Sequence, residues 1–112
     1  MPFQYPKKGD IYHISFPKPR GPHYVAVVTS NAINDNSDYV VVALITSQDP
    51  NRVAPHQFKV PRGILSSPSK VKCDNVFMLS KSLLDPKAFQ GTISGSDLLG
   101  LDAAICKTFD IW

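Results

Sequence analysis

Apolar residues fall along this chain in short β-branched runs rather than in long helical stripes. Asp10-Ile11-Tyr12-His13-Ile14-Ser15-Phe16 predicts a first strand. Tyr24 to Thr29 predicts a second strand, and Tyr39 to Thr46 a third. Neither of these two runs alternates, and strands of that kind are covered on both faces, as in a closed or sandwiched sheet. His56 to Val60 alternates as a half-exposed strand, and Val71 to Leu79 resumes β character. Turn residues separate these runs. Pro17, Pro19 and Pro22 frame an ordered turn holding Lys18, Arg20 and Gly21. Ser30-Asn31 reads as a turn, Asn34 to Asp38 as a polar loop, and Gln48 to Pro55 as a loop. Pro61-Arg62-Gly63 turns the chain again, and Ser66 to Ser69 is a flexible stretch.

The last segment changes period. Ser94-Gly95-Ser96-Asp97 has the spacing of a helix capping box, with Asp in place of Glu. Leu98, Leu101, Ile105 and Phe109 follow at helical spacing, so one amphipathic helix should cover the sheet. Mainly β, five or six strands in a small barrel with a C-terminal α-helix, and one domain over residues 1–112: that is the expected architecture.

Composition narrows the function classes. The longest apolar run, Tyr39 to Ile45, is too short to cross a bilayer. The segment Met1 to Lys8 places its charge after its apolar residues, the reverse of an export signal. The expectation is a cytoplasmic protein without a membrane partner. Cys73 and Cys106 are too distant for a metal-binding pair and too few for a disulfide framework, so they read as buried small hydrophobes in a reducing compartment. No His/Cys/Asp grouping has ligand spacing, and neither a phosphate-cradling glycine loop nor a nucleophile elbow is present. No metal and no cofactor are expected.

The formal charge of +3 suits a polyanionic partner. Lys7, Lys8, Lys18 and Arg20 crowd the first segment, Arg52, Lys59 and Arg62 the middle, and Lys70, Lys72 and Lys81 a later one. They form one positive face if the fold brings the segments together.

Four segments carry a resemblance: Gly9-Asp10-Ile11-Tyr12, Val25 to Ser30, Val40 to Gln48, and Val71-Lys72-Cys73-Asp74-Asn75. In this order and spacing they resemble the MazF/PemK (Kid) family of toxin–antitoxin ribonucleases, over nearly the whole chain. The resemblance implies a small SH3-like barrel of the CcdB/MazF type and a homodimer. It further implies metal-independent endoribonuclease action on single-stranded RNA, and an antitoxin protein whose tail blocks the RNA groove. One departure stands out. Where family members usually carry an arginine before the second strand, this chain has Tyr24, with His23 just before it. Either the catalytic apparatus is redistributed, or activity is reduced or lost.

Metal-free RNA cleavage uses the substrate's 2′-hydroxyl as nucleophile and leaves a 2′,3′-cyclic phosphate and a 5′-hydroxyl. It needs a base, an acid and donors for the developing charge. His23 is the candidate acid or base, since imidazole titrates near neutrality; the alternative is a solvated loop histidine. Arg20 is the candidate phosphate clamp in place of the missing arginine, or else an exposed turn charge. Thr46 matches a strand-end hydroxyl that resembles the family's active-site threonine, with Ser47 and Gln48 available to bond bases or backbone; strand propensity alone also explains a threonine there. Lys72 and Asp74 flank Cys73 and share a strand face, matching the Arg-Cys-Asp version in Kid-like relatives with Lys for Arg; a surface ion pair is the plain alternative. Tyr24 and Phe77 are candidates for stacking on bases, or core aromatics. His13 and His56 read as structural. Two other classes compete: a CcdB-like gyrase poison, suggested by the aromatic tail Phe109-Asp110-Ile111-Trp112, and a non-catalytic nucleic-acid- or protein-binding barrel.

Overall fold

The computed structural model describes residues 6–110. Residues 1–5, part of the segment tested for an export signal, and residues 111–112, the end of the aromatic tail, lie outside the described residues. Six strands are described: β1 (Asp10–Ser15), β2 (Pro22–Val27), β3 (Tyr39–Thr46), β4 (Gln57–Lys59), β5 (Lys70–Ser80) and β6 (Phe89–Thr92). Two α-helices join them, α1 (Asn31–Asn36) and α2 (Ser96–Phe109). The strands form one antiparallel sheet in the order β4-β5-β3-β2-β1-β6. It curls into a half-barrel that carries the C-terminal helix, the mainly β, small-barrel architecture expected from the sequence.

The uninterrupted apolar runs do lie between two covered faces. In β3, Ala43 and Ile45 join Ile11, Ala26, Val71 and Cys73 in a core closed by Leu101 and Ala104 of α2. Val40, Val42 and Leu44 point the other way, into a second core with Tyr12, Ile14, Val25, Val27 and Leu84. A fully buried Val, Leu or Ile contributes about 1.5–3 kcal/mol over an exposed one, so β3 ties both layers together. The helix lies close because of Gly100, where an added Cβ would sit 2.6 Å from the Phe58 ring. Phe109, placed by its spacing on the apolar stripe, is instead exposed at the helix end.

Gly9 explains the start of the motif at β1. Its φ is +92°, and an added Cβ would lie 2.4 Å from the Ile93 carbonyl oxygen. Its N–H donates to Val27 O, and its own carbonyl accepts from Ile93 N. Asp10 then accepts from the Lys7 N–H and the Thr92 hydroxyl, which ties β1 to β6.

Three local expectations are corrected. The turn at Ser30-Asn31 and the polar loop after it begin instead with α1. Ser30 accepts from Ile33 N at the helix start, and buried Asn34 donates to Thr29 O while accepting from the Thr29 hydroxyl. Polar side chains that bond inward stabilise a helix that hydrophobic spacing does not announce. The strand β6 has no counterpart in the sequence pattern; it has four residues, one of them glycine. At α2 the capping box does not form: Gly95 occupies the cap with φ +61° and no side chain bonds there.

Candidate functional site

Register carries one row of side chains across the sheet. Ile14 pairs with His23, and Tyr24 pairs with Ile45, so the next step of that register sets His23 against Thr46. Thr46 pairs with Lys70, and Lys70 with Lys59. Alternation puts these residues on the face away from α2. An imidazole, a hydroxyl and two ammonium groups therefore follow one another over four strands. Lys70 is only 7% exposed, and its Nζ donates to Arg52 O at 2.7 Å. The Lys59 ammonium donates to Asn51 Oδ1 at 2.6 Å.

At this end of the sheet, where β2 begins and β3 ends, lies a groove of about 310 Å³. His13, His23, Tyr24 and Thr46 line its strand side, continued by Ser47 and Gln48. Leu65, Ser66, Ser67 and Ser69 form the opposite wall. That wall belongs to a loop whose neck is closed by Val60 N donating to Ser69 O at 2.9 Å, with a bridge between Arg62 and Leu65 inside it.

The groove's polar atoms are held by neighbours. His23 Nε2 lies 3.1 Å from Arg20 O. A carbonyl only accepts, so Nε2 carries the proton and Nδ1 remains as the basic nitrogen or the second donor. Thr46 Oγ1 accepts from Gln48 N at 3.1 Å, which leaves the hydroxyl hydrogen to donate. The exposed His13 ring meets Tyr24 edge-on at 4.9 Å between centroids.

Five of the predicted residues thus come together: His23, Tyr24, Thr46, Ser47 and Gln48. Three do not. The Arg20 guanidinium lies over the Phe77 ring at 4.3 Å and is not part of the groove lining; Phe77, proposed for base stacking, is the surface it covers. Lys72 and Asp74 do flank a buried Cys73 as expected, yet neither lines the groove. Asp74 Oδ2 instead lies 3.8 Å from His56 Nε2. Among the described residues, the groove is walled by imidazole, hydroxyl and amide groups, with no lysine or arginine in it. The single positive face forms only in part: Lys59, Lys70 and Lys72 share a sheet face, whereas Lys8 pairs with Asp102 of α2.

His13 is the groove residue that sequence reasoning set aside as structural. The usable signal was its place at an outward position of the first strand, opposite Tyr24. Cys73 offers no nucleophile, because burial, with nearby Asp74 second, pushes its thiol up to about 11. Among the described residues no group of three or more His, Cys, Asp or Glu is suited to hold a metal ion, and no helix is long and apolar enough to cross a membrane.

A curled antiparallel sheet, a C-terminal helix and a polar groove at the strand ends define a small half-barrel with one polar rim. The chain belongs to the PemK-like, MazF-like toxins of type II toxin–antitoxin systems, whose family profile matches residues 7–109. No curated protein matches it in sequence. Among solved structures, an endoribonuclease in complex with its cognate antitoxin from mycobacterial species superposes with a TM-score of 0.78 at 21% identity, over 96% of this chain and 97% of that one. The Mycobacterium tuberculosis toxin MazF-mt6 gives 0.73 at 24% identity, over 90% and 96%. A MazE–MazF complex from Deinococcus radiodurans gives 0.71 at 16%, over 96% and 97%. At these identities the likeness establishes the fold.

Proposed function

We propose that this chain is the toxin of a type II toxin–antitoxin pair and a metal-independent endoribonuclease acting on single-stranded RNA. The observation that carries the reading is the meeting of His23 and Thr46 in one groove, in a family whose solved relatives are named endoribonucleases. In this mechanism His23 Nδ1 takes the proton of the 2′-hydroxyl as its oxygen bonds to phosphorus. The bond from phosphorus to O5′ then breaks, and a protonated imidazole, His13, supplies the proton that O5′ needs. Thr46 and the serines of the facing wall donate to the phosphoryl oxygens. Products are a 2′,3′-cyclic phosphate and a 5′-hydroxyl. Each proton transfer is worth ~10²–10⁴-fold. Tyr24 stacks on a base, while Ser47 and Gln48 read base edges or backbone. A homodimer, a cognate antitoxin that covers the groove, and a cytoplasmic setting complete the reading.

That no lysine or arginine lines the groove among the described residues favours a second reading, a barrel that binds without cutting. Incubation with single-stranded RNA in EDTA, with mapping of the ends, separates them. Cyclic-phosphate ends that vanish in His23→Ala support the nuclease. Inert RNA together with inhibited gyrase supports a CcdB-like poison, and inert RNA with unaffected gyrase supports the binding barrel.

A further inference from the structure

A second groove, of about 400 Å³, adjoins the first. The two share Leu65, Ser66 and Ser67 as a common wall, so that loop divides them. The grooves differ in charge. Among the described residues, no lysine or arginine lines the first, whereas Lys59 and Arg62 line the second, and no carboxylate does. Lys59 is steadied by the neutral Asn51 amide, which orients the ammonium without cancelling its charge. Arg62 is exposed, beside a Gly63 whose φ of +95° turns the loop. Among the described residues neither cation is paired with a carboxylate. Buried Lys70, next to Lys59 in the strand register, adds a further positive charge to this side.

We infer that the Asn51–Lys59–Arg62 groove is a second anion subsite, which takes a flanking phosphodiester of the RNA strand whose scissile phosphate lies beside His23 and Thr46. The inference rests on the nuclease reading and supplies what that reading lacks. Chemistry sits in the groove without cations, and electrostatic grip sits one groove away. Phosphate contacts of this sort fix register and carry no sequence information. Hydroxyls at Ser66 and Ser67 line the divide that the strand crosses.

The test uses the intact protein and two fluorescent pools of random 2′-O-methyl RNA, which cannot be cleaved. One pool is roughly four nucleotides long and the other roughly twelve, within the usual span of single-strand sites. In EDTA, affinity is followed against salt for the unaltered protein, for Lys59→Gln/Arg62→Gln, and for Lys107→Gln on exposed α2 as control. For two lost contacts at about 0.7 each, the log–log salt slope on the long pool should shrink by about 1.4 in the double variant. Its short-pool binding and the control should match the unaltered protein. An unchanged long-pool slope overturns the inference while leaving the nuclease reading intact. So does a double variant that loses only a polyglutamate peptide, since the groove then serves an acidic protein. Unaltered protein that neither binds these pools nor cuts RNA overturns the nuclease reading, and the inference with it.

Discussion

His23 Nε2 and the Arg20 carbonyl oxygen stand 3.1 Å apart, so the backbone of the β1–β2 hairpin fixes the tautomer of the imidazole. His23→Ala should therefore reduce RNA cleavage by ~10²–10⁴-fold, the worth of one proton-transfer role. Initial rates on end-labelled RNA in EDTA, with circular dichroism to confirm folding, decide it. A fall of less than about tenfold would remove His23 from the chemistry.

Arg20 contributes that carbonyl from its main chain, and its guanidinium rests on Phe77. Truncation to alanine leaves the carbonyl in place. Arg20→Ala should lower stability by about 0.5–1 kcal/mol, the worth of an exposed cation–π contact, and slow cleavage far less than His23→Ala. Denaturant midpoints and the same rate assay measure both effects. Equal losses for the two variants would mean the guanidinium leaves Phe77 for the phosphate during turnover.

Thr46 Oγ1 accepts from Gln48 N, and in the proposed mechanism its hydroxyl hydrogen donates to substrate. Thr46→Ser keeps both, and its cleavage rate should stay near that of the unaltered protein. Thr46→Ala and Thr46→Val should each lose roughly 10²-fold or more, in the range found for removing one charge-stabilising donor. A Val variant as active as the Ser variant would reduce Thr46 to a strand residue.

Two buried acids give a pH dependence. Burial, with Asp74 second, holds the Cys73 thiol at about 11 against an ordinary 9.0. Burial, with Asp10 second, holds the Tyr12 phenol at about 12 against 10.0. In both, the folded protein keeps its proton more tightly than the unfolded chain. Stability is then full below the unfolded value and falls as pH rises through the window up to the folded one. Urea midpoints should be flat to about pH 9 and decline beyond it, with the thiol's share, of order 2–3 kcal/mol, developed by about pH 11. Cys73→Ala should flatten the first part of that decline.

Gly9→Ala tests the start of the sheet. A side chain there meets both a positive φ and the Ile93 carbonyl oxygen at 2.4 Å. Backbone strain alone costs about 1–3 kcal/mol, and the clash adds to it. A denaturant midpoint unchanged within error would refute this account of the glycine.

The strands with uninterrupted apolar runs were legible because burial on both faces leaves a pattern in sequence, as Val40 to Ile45 do. α1 was not, because Asn34 is buried through hydrogen bonds to Thr29 and looks like any loop asparagine. β6 was hidden by its brevity and its glycine, since its reason to be extended is the partner β1. At the groove, strand ends were readable, and with them the placement of His23 and Thr46 along one wall. Where side chains turn after a tight hairpin was not, and so Arg20 was assigned to a groove it does not line. Lys72 likewise lies outside the groove lining: alternation placed it on the correct face, but the bulge at Cys73 to Asn75 lies between residues facing Ala43 and Leu44, where no local pattern announces it.

The sheet's outermost strands are also its shortest, three residues in β4 and four in β6. Few main-chain donors and acceptors are left unpaired along either margin, and so a stray extended peptide finds little to zip onto. Copies crowded together at high concentration are thereby discouraged from stacking edge to edge into fibrils, although the half-barrel never closes its circumference.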